Sequence, residues 1–452
     1  MARNQQTSSA TRRRFIKASG TAGVIGLSGC LGGGGGGDGG SDGGDGGDGG
    51  SDGDDGGSTG GSGSGTTTLQ FWTLFSGGDG KAMKSIVDRF NAEHDSIQIE
   101  RQRQPFAEYY DKLFTSMSGG SPPDLAVFHT TEIQRFTDAM QPLDDMVSSG
   151  TPDAYVSSIW DETEFGGSHL ALPLDTHPNG LYYNKDIFES AGLDPESPPT
   201  NFEELKQAAD TITAETDKLA FSPEPYNGFY VRQFIAWLDG RGGEFLNDDR
   251  TEAMFGGDDG TALGEFYGDI TNEWGWDKAD ATENRGTKAF RSGDMAMTIN
   301  GTWYFGVLQE QDFEWDMAKP FVAPGQSTNT TWANSHTLGI PSASSKQEAA
   351  VEAGEWITQN SLAWGTDAGH LPAATAVQES DDLRSATVWD KTLSTYSEMA
   401  AAGELTYMPS VPNTQNYKRP VNNALSQIYS GQKEAAPAIE EAASTVTSNL
   451  QG

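Results

Sequence analysis

The 452-residue chain has one cysteine, Cys30, so no disulfide can form within it. Basic side chains are scarce, with 29 Lys and Arg against 65 Asp and Glu for a net charge of −36. A phosphate footprint needs clustered cations, and none occur after residue 17, which excludes nucleic acid and anionic lipid surfaces as partners. No apolar run approaches the roughly 20 residues that span a bilayer. The six histidines, His94, His129, His169, His177, His336 and His370, contain no i, i+4 pair and stand beside no paired-cysteine motif, so no metal site and no cofactor are expected. The chain also lacks a G-x-S-x-G elbow and a dinucleotide fingerprint, and "GGDGK" at Gly77 lacks the Ser or Thr and the spacing of a phosphate loop. These absences point away from an enzyme.

What is abundant is acid. Such self-repulsion strains a compact fold in dilute solution and is screened by concentrated salt, so the excess reads as the solvated surface of a halophile. Carboxylates this frequent make any single acidic pair weak evidence for catalysis. Residues 1–29 carry five basic and no acidic side chains, with Arg12, Arg13, Arg14 and Lys17 ahead of a short apolar run rich in Gly, Ala and Ser. That is the pattern of an export signal. "TRRRFIK" resembles the twin-arginine motif, and "LSGC" at Leu27 to Cys30 resembles a lipobox, which makes Cys30 the expected lipidation site. A thiol used only to attach lipid needs no partner. Residues 30–68 are then a lipidated cysteine followed by a tether of Gly, Asp and Ser with almost nothing apolar to bury.

From Leu69 the composition changes. "LQFWT" predicts a strand, Met83, Ile86, Val87 and Phe90 recur at helical spacing, and "IQIE" at Ile97 returns to alternation, forming a β-α-β unit. "DLAVF" at Asp124 and "LALPL" at Leu170 add strands, so an α/β fold with largely parallel sheets is expected. Thr200 and Glu203 form a predicted capping box for the helix carrying Leu205, Ala208 and Ala209. Near the end, Val421, Ala424, Leu425 and Ile428 define one helical face and Ile439, Ala443, Val446 and Leu450 another.

Several of these segments carry a family resemblance. "GLYYNKDIFESAGLDPESPPTNFEEL" at Gly180 and "AFRSGDMAMTINGTWYF" at Ala289 resemble signature stretches of the family 1 extracellular solute-binding proteins, the maltose-binding-protein-like group. "FNAEHDSIQIE" at Phe90, "SPPDLAVF" at Ser121, "LGIPSASSKQEAAVEAGEWI" at Leu338 and "GHLPAATAV" at Gly369 follow in the family's order. The resemblance implies two α/β lobes joined by a hinge that the chain crosses three times, with ligand held in the cleft between them. It places the crossings near Leu174–His177, Thr331–His336 and Leu371–Ala374. The N-terminal lobe would comprise 69–174 plus 336–371 and the C-terminal lobe 175–335 plus 372–452. The implied role is that of an exported, lipid-anchored monomer on the outer face of the cytoplasmic membrane. It would capture a small carbohydrate and deliver it to an ABC permease with cytoplasmic ATPases.

Sugars offer C–H faces to aromatic rings and hydroxyls to carboxylates and amides. "SPEPYNGFY" groups Glu224, Tyr226 and Asn227 on a loop similar to a sugar-contacting stretch of the family, and Trp303 matches a stacking position. Phe75, Asp79, His129 and Glu132 lie on loops after strands, where ligands of such sheets bind. Asp175 and Trp332 sit at two crossings, and Tyr417 falls near a stacking position although "TQNYKRP" departs from the family there. Core packing is the competing role for each aromatic, and a solvated acidic face for each carboxylate. Two alternatives stay open: a binder of another polar solute (polyol, glycerol phosphodiester or peptide), and a secreted glycoside hydrolase, which needs only two suitably spaced carboxyls.

Overall fold

The computed structural model describes residues 65–224, 229–279, 285–321 and 323–452. The export signal, Cys30, the tether up to residue 64, Tyr226 and Asn227 lie outside the described residues. The chain divides into two units, Met1–Gly61 and Ser62–Gly452, and everything below concerns the second.

Strand β1 (Thr67–Thr73) alternates as its sequence demands, burying Leu69, Phe71 and Thr73. The helix Gly77–Glu93 follows and buries Met83, Ile86, Val87 and Phe90 on one face. Each such large apolar side chain contributes about 1.5–3 kcal/mol when removed from water. β2 (Ile97–Arg103) and β3 (Leu125–His129) run parallel to β1 on either side of it. A small hairpin, β4 (Glu164–Phe165) and β5 (Ser168–His169), precedes β6 (Ala171–Pro173) and β7 (Asp175–Thr176). The chain then enters a second sheet through β8 (Asn179–Asn184), β9 (Leu219–Ser222), β10 (Met295–Gly301) and β11 (Trp315–Ala318). It returns through β12 (Thr331–Ala333) and β13 (His336–Gly339), and continues to β14 (Leu371–Pro372) and β15 (Leu405–Tyr407).

The first sheet has the order β2-β1-β3-β13-β6 and the second β11-β8-β10-β9. Both are mixed. β13 is antiparallel to β3 and β6, and β8 is antiparallel to β10 and β11. The expectation of largely parallel sheets therefore fails for half of the first sheet and most of the second. Side-chain alternation fixes which face of a strand is buried and carries no information on its direction. β13 comes back from the second sheet without a helical crossover, so it is free to run the other way.

The helix Phe202–Glu215 buries Leu205, Ala208, Ala209 and Ile212, as its spacing predicts. Its cap is one residue later than expected. Asn201 Oδ1 accepts from the Glu204 amide at 3.0 Å, while Glu204 Oε2 accepts from the Thr200 amide at 2.8 Å and its hydroxyl at 2.7 Å. Asn and Thr are both good caps, and adjacent candidates make the register ambiguous from sequence. The C-terminal helices Gln415–Tyr429 and Ala435–Gln451 bury the two faces read from sequence, except that Leu450 is only partly covered. Pro420 lies inside the first of them and cannot donate to the Asn416 carbonyl. Asn449 Nδ2 donates to that carbonyl instead at 3.0 Å, and Asn416 Nδ2 donates to the Asn449 carbonyl at 3.1 Å.

Candidate functional site: a histidine cluster where three segments cross

Three segments lie side by side, two of which link the two sheets. The His336 carbonyl accepts from the Leu174 amide at 2.8 Å, Asn334 accepts from the His177 amide at 2.8 Å, and β7 pairs with β14. Tyr407 of β15 joins them through hydroxyl contacts to Thr176 at 2.8 Å and Ser335 at 3.3 Å. These are the three stretches where the resemblance implies hinge crossings.

Asp175 is fully buried at their centre. Its Oδ1 accepts from His177 Nδ1 at 3.0 Å and the His336 amide at 2.9 Å. Its Oδ2 accepts from His336 Nδ1 at 2.7 Å and the Trp364 indole at 2.6 Å. Burial alone would neutralise the acid, but His336, His177 and these hydrogen bonds hold it well below the usual carboxylate range. His370 completes the group, with Nδ1 3.8 Å from Asp175 Oδ2 and 2.8 Å from Thr302 Oγ1, and Nε2 3.3 Å from Asp79 Oδ1. Burial pushes His177 down to about 3, reinforced by His336 and opposed by Asp175. For His370 burial also acts downward, and the Asp79 and Asp175 carboxylates outweigh it, leaving the group raised.

Of the expected ligand residues, Asp79, His129, Asp175, Trp303 and Trp332 gather around this cluster. Asp79 reaches it through His370. His129 is partly buried, its ring 4.7 Å from that of His336, with Nδ1 2.6 Å from the Tyr110 hydroxyl. Burial, together with His336 and His177, holds it well below the ordinary histidine value. Trp303 is half-buried and packs against both hydrophobic cores, edge-on to His177 at 6.1 Å and to Trp332 at 6.5 Å. A Cβ at Gly301 would come within 2.1 Å of the Trp303 ring, so glycine there lets the indole fold back over the strand end. Trp332 is 1% exposed and carries the Arg232 guanidinium 4.2 Å above its ring.

The remaining expectations need correction or qualification. Phe75 is 1% exposed and packs edge-on against His336 at 5.0 Å and tilted against Trp364 at 4.6 Å, so it forms a wall behind the cluster rather than an open loop. Tyr417 is a core residue. Its ring is fully buried against Phe245 and its hydroxyl donates to the Pro409 carbonyl at 2.9 Å, because the helix Gln415–Tyr429 turns that face inward. Glu224 is buried in a left-handed conformation with φ 56°, and its Oε2 accepts from the Thr287 amide and hydroxyl, both at 2.5 Å. Burial raises its carboxyl, and Oε1 has no hydrogen-bond partner. Glu132 accepts from Thr414 at 3.3 Å and lies 3.5 Å from Lys418 Nζ, an ion pair that sequence reasoning did not foresee. Sequence reading also passed over His177, His336, His370, Trp364 and Arg232. A signal for the histidines existed: two of the expected crossings end in a histidine, and His370 immediately precedes the third.

Residues 76–363 match the family described as bacterial extracellular solute-binding protein. The chain belongs to that family. Among solved structures, the cyclic alpha-maltosyl-1,6-maltose binding protein of Arthrobacter globiformis is 22% identical, with a TM-score of 0.74 over 86% of this chain and 100% of that one. The GacH receptor of Streptomyces glaucescens GLA.O, solved unliganded and with acarbose, is 18% identical with a TM-score of 0.73, covering 85% and 99%. The fold is accordingly the two-lobed α/β architecture of binding proteins. A curated relative, the sn-glycerol-3-phosphate-binding periplasmic protein of Escherichia coli (strain K12), is 28% identical over 188 residues, 38% of this solute-binding protein and 41% of the relative. The chain thus spans about two fifths of the length of the curated relatives it matches. Among the described residues, no helix is long and apolar enough to cross a membrane.

Proposed function

We propose that this solute-binding protein is the capture component of an ABC importer, closing its lobes on a mono- or oligosaccharide and handing it to a membrane permease. The observation that carries this reading is Trp303, half-exposed and edge-on to His177 at 6.1 Å and Trp332 at 6.5 Å, beside the polar cluster around Asp79. An indole of this kind supplies the apolar platform a sugar face needs, and neighbouring polar groups supply partners for its hydroxyls. The related cyclic alpha-maltosyl-1,6-maltose binding protein and the acarbose-bound GacH receptor support it. Lobes of 69–174 plus 336–371 and of 175–335 plus 372–452 are supported by the change of sheet at the first two crossings, from β6 to β8 and from β11 to β13. Export by the twin-arginine route, lipidation of Cys30, a monomeric state and a halophilic surface belong to the same proposal.

A second reading, a glycerol phosphate ligand, is favoured by the curated relatives and by Arg232 above Trp332. Thermal shift of the full chain in concentrated salt, against sugars, polyols and glycerol phosphates, separates the two. Sugar-dependent stabilisation is expected. Trp303→Ala should weaken sugar binding by about 1–3 kcal/mol. An unchanged affinity removes Trp303 from the site, and a response to phosphates alone replaces the sugar reading. Intact ligand after incubation is the expected result, and cleaved sugar would turn the assignment to a hydrolase.

A further inference from the structure

We propose that the three-segment crossing is a binding site for one divalent transition-metal ion of the zinc type, held by Asp175, His177, His336 and His370. Each of these residues offers one ligand atom, and the four atoms lie within 4.8 Å of one another. All four residues are buried, at 0%, 3%, 5% and 1% exposure. Three imidazole nitrogens and one carboxylate oxygen form a donor set suited to zinc, cobalt or nickel and poorly suited to calcium or magnesium, which prefer oxygen.

The surroundings of His370 add an independent reason. Its Nδ1 faces the cluster, and its Nε2 lies 3.3 Å from the Asp79 carboxylate. A metal-bound histidine characteristically donates its other N–H to a carboxylate, which fixes the ring and raises its basicity. Trp364 serves the same end on the other side, donating to Asp175 Oδ2 at 2.6 Å and stacking on the His370 ring at 16°. Charge also balances: a dication with the Asp175 and Asp79 carboxylates is neutral, which suits a buried site.

Binding exchanges hydrogen bonds for coordination. His177 and His336 now donate Nδ1–H to Asp175; on metal binding the proton of each ring resides on Nε2, and Nδ1 presents its lone pair to the ion. Ligand atoms in a tetrahedral zinc site lie roughly 3.3–3.5 Å apart, so the Asp175–His336 and Asp175–His177 pairs, now 2.7 and 3.0 Å apart, open slightly while the widest separations close by about 1 Å. His177 and His336 lie on two of the crossing segments and His370 immediately precedes the third, so an ion here ties the three together and stiffens the region about which lobes would move. The site adjoins the sugar platform of Trp303 and shares Asp79 with it, but metal binding does not require that a sugar bind.

The test uses the full chain stripped with a chelator. Zn²⁺ is titrated by calorimetry and Co²⁺ by visible absorption, in excess Mg²⁺ to occupy the Asp-rich tract at residues 38–55. One equivalent per chain, a rise in melting temperature and a cobalt ligand-field band typical of nitrogen coordination are expected. His370→Gln should lower affinity at least tenfold, and Asp79→Asn, at the half-exposed rim, by about tenfold with unchanged stoichiometry. Circular dichroism of the stripped variants verifies folding, and the Asp79 variant decides if the His370 one does not fold. Absence of a Zn²⁺ response in excess Mg²⁺, or equal affinity in the folded variants and the unaltered chain, overturns the proposal.

Discussion

At the scale of single residues, Glu162 makes the most direct claim on pH. Burial pushes its carboxyl up to about 7 from an ordinary value of 4.5, with Arg250 pulling down and Asp161 pushing up. Unfolded, the group loses its proton near 4.5; folded, it keeps it to about 7. Its contribution is therefore complete below pH 4.5 and lost as pH rises to 7, in the sense opposite to a salt-bridged carboxylate. Glu162→Gln should match the unaltered protein near pH 4.5 and exceed it by about 1–3 kcal/mol at pH 8, read from urea midpoints. No difference in pH slope would show that the carboxyl is solvated. Individual residues were also where sequence reasoning reached least far. Asp175 was singled out as a hydroxyl acceptor, yet its lone pairs go to His177, His336 and Trp364, residues 2, 161 and 189 positions away. Spacing rules recognise donors on one helix or loop and cannot see a set drawn from three crossings.

At the scale of elements, periodicity was a good guide. The strands from Leu69, Ile97, Asp124 and Leu170 appear within a few residues of their expected starts, and the helix faces around Met83 and Leu205 are buried as read. Caps and strand direction were less legible, because they depend on one hydrogen bond or on where the chain has travelled in between. The observed cap makes a testable distinction. Asn201→Ala should cost about 1 kcal/mol, while Thr200→Ala should cost less, since the Thr200 hydroxyl donates to Glu204 and accepts only from the Asn201 side chain at 3.5 Å, not from a helix amide. Equal losses in denaturant unfolding would restore the register expected from sequence. Tyr417 shows the same limit: a helix position near a family stacking site carries no sign of which way the helix is turned.

At the scale of the whole molecule, charge is the dominant fact. With a net charge of −36, self-repulsion extends over about 10 Å in 0.1 M salt and about 3 Å in 1 M. Exposed i, i+4 pairs such as Lys84–Asp88 and Lys112–Glu108 are worth little against it. The melting temperature should therefore rise steadily as KCl is raised from dilute to molar, and a fall would mean that ion pairs outweigh repulsion. The two-lobed fold was legible in the ordered family segments, and the return of the chain to the first sheet at β13 interleaves the two sheets along the sequence. That interleaving has a consequence for biosynthesis. β6 ends at Pro173 and its sheet neighbour among the described residues, β13, begins at His336, so a nascent chain waits roughly ten to thirty seconds for the intervening residues to be made. Until His336 leaves the ribosome, the β3 edge of the first sheet stays unpaired, a strand edge open to pairing with another chain unless a chaperone covers it.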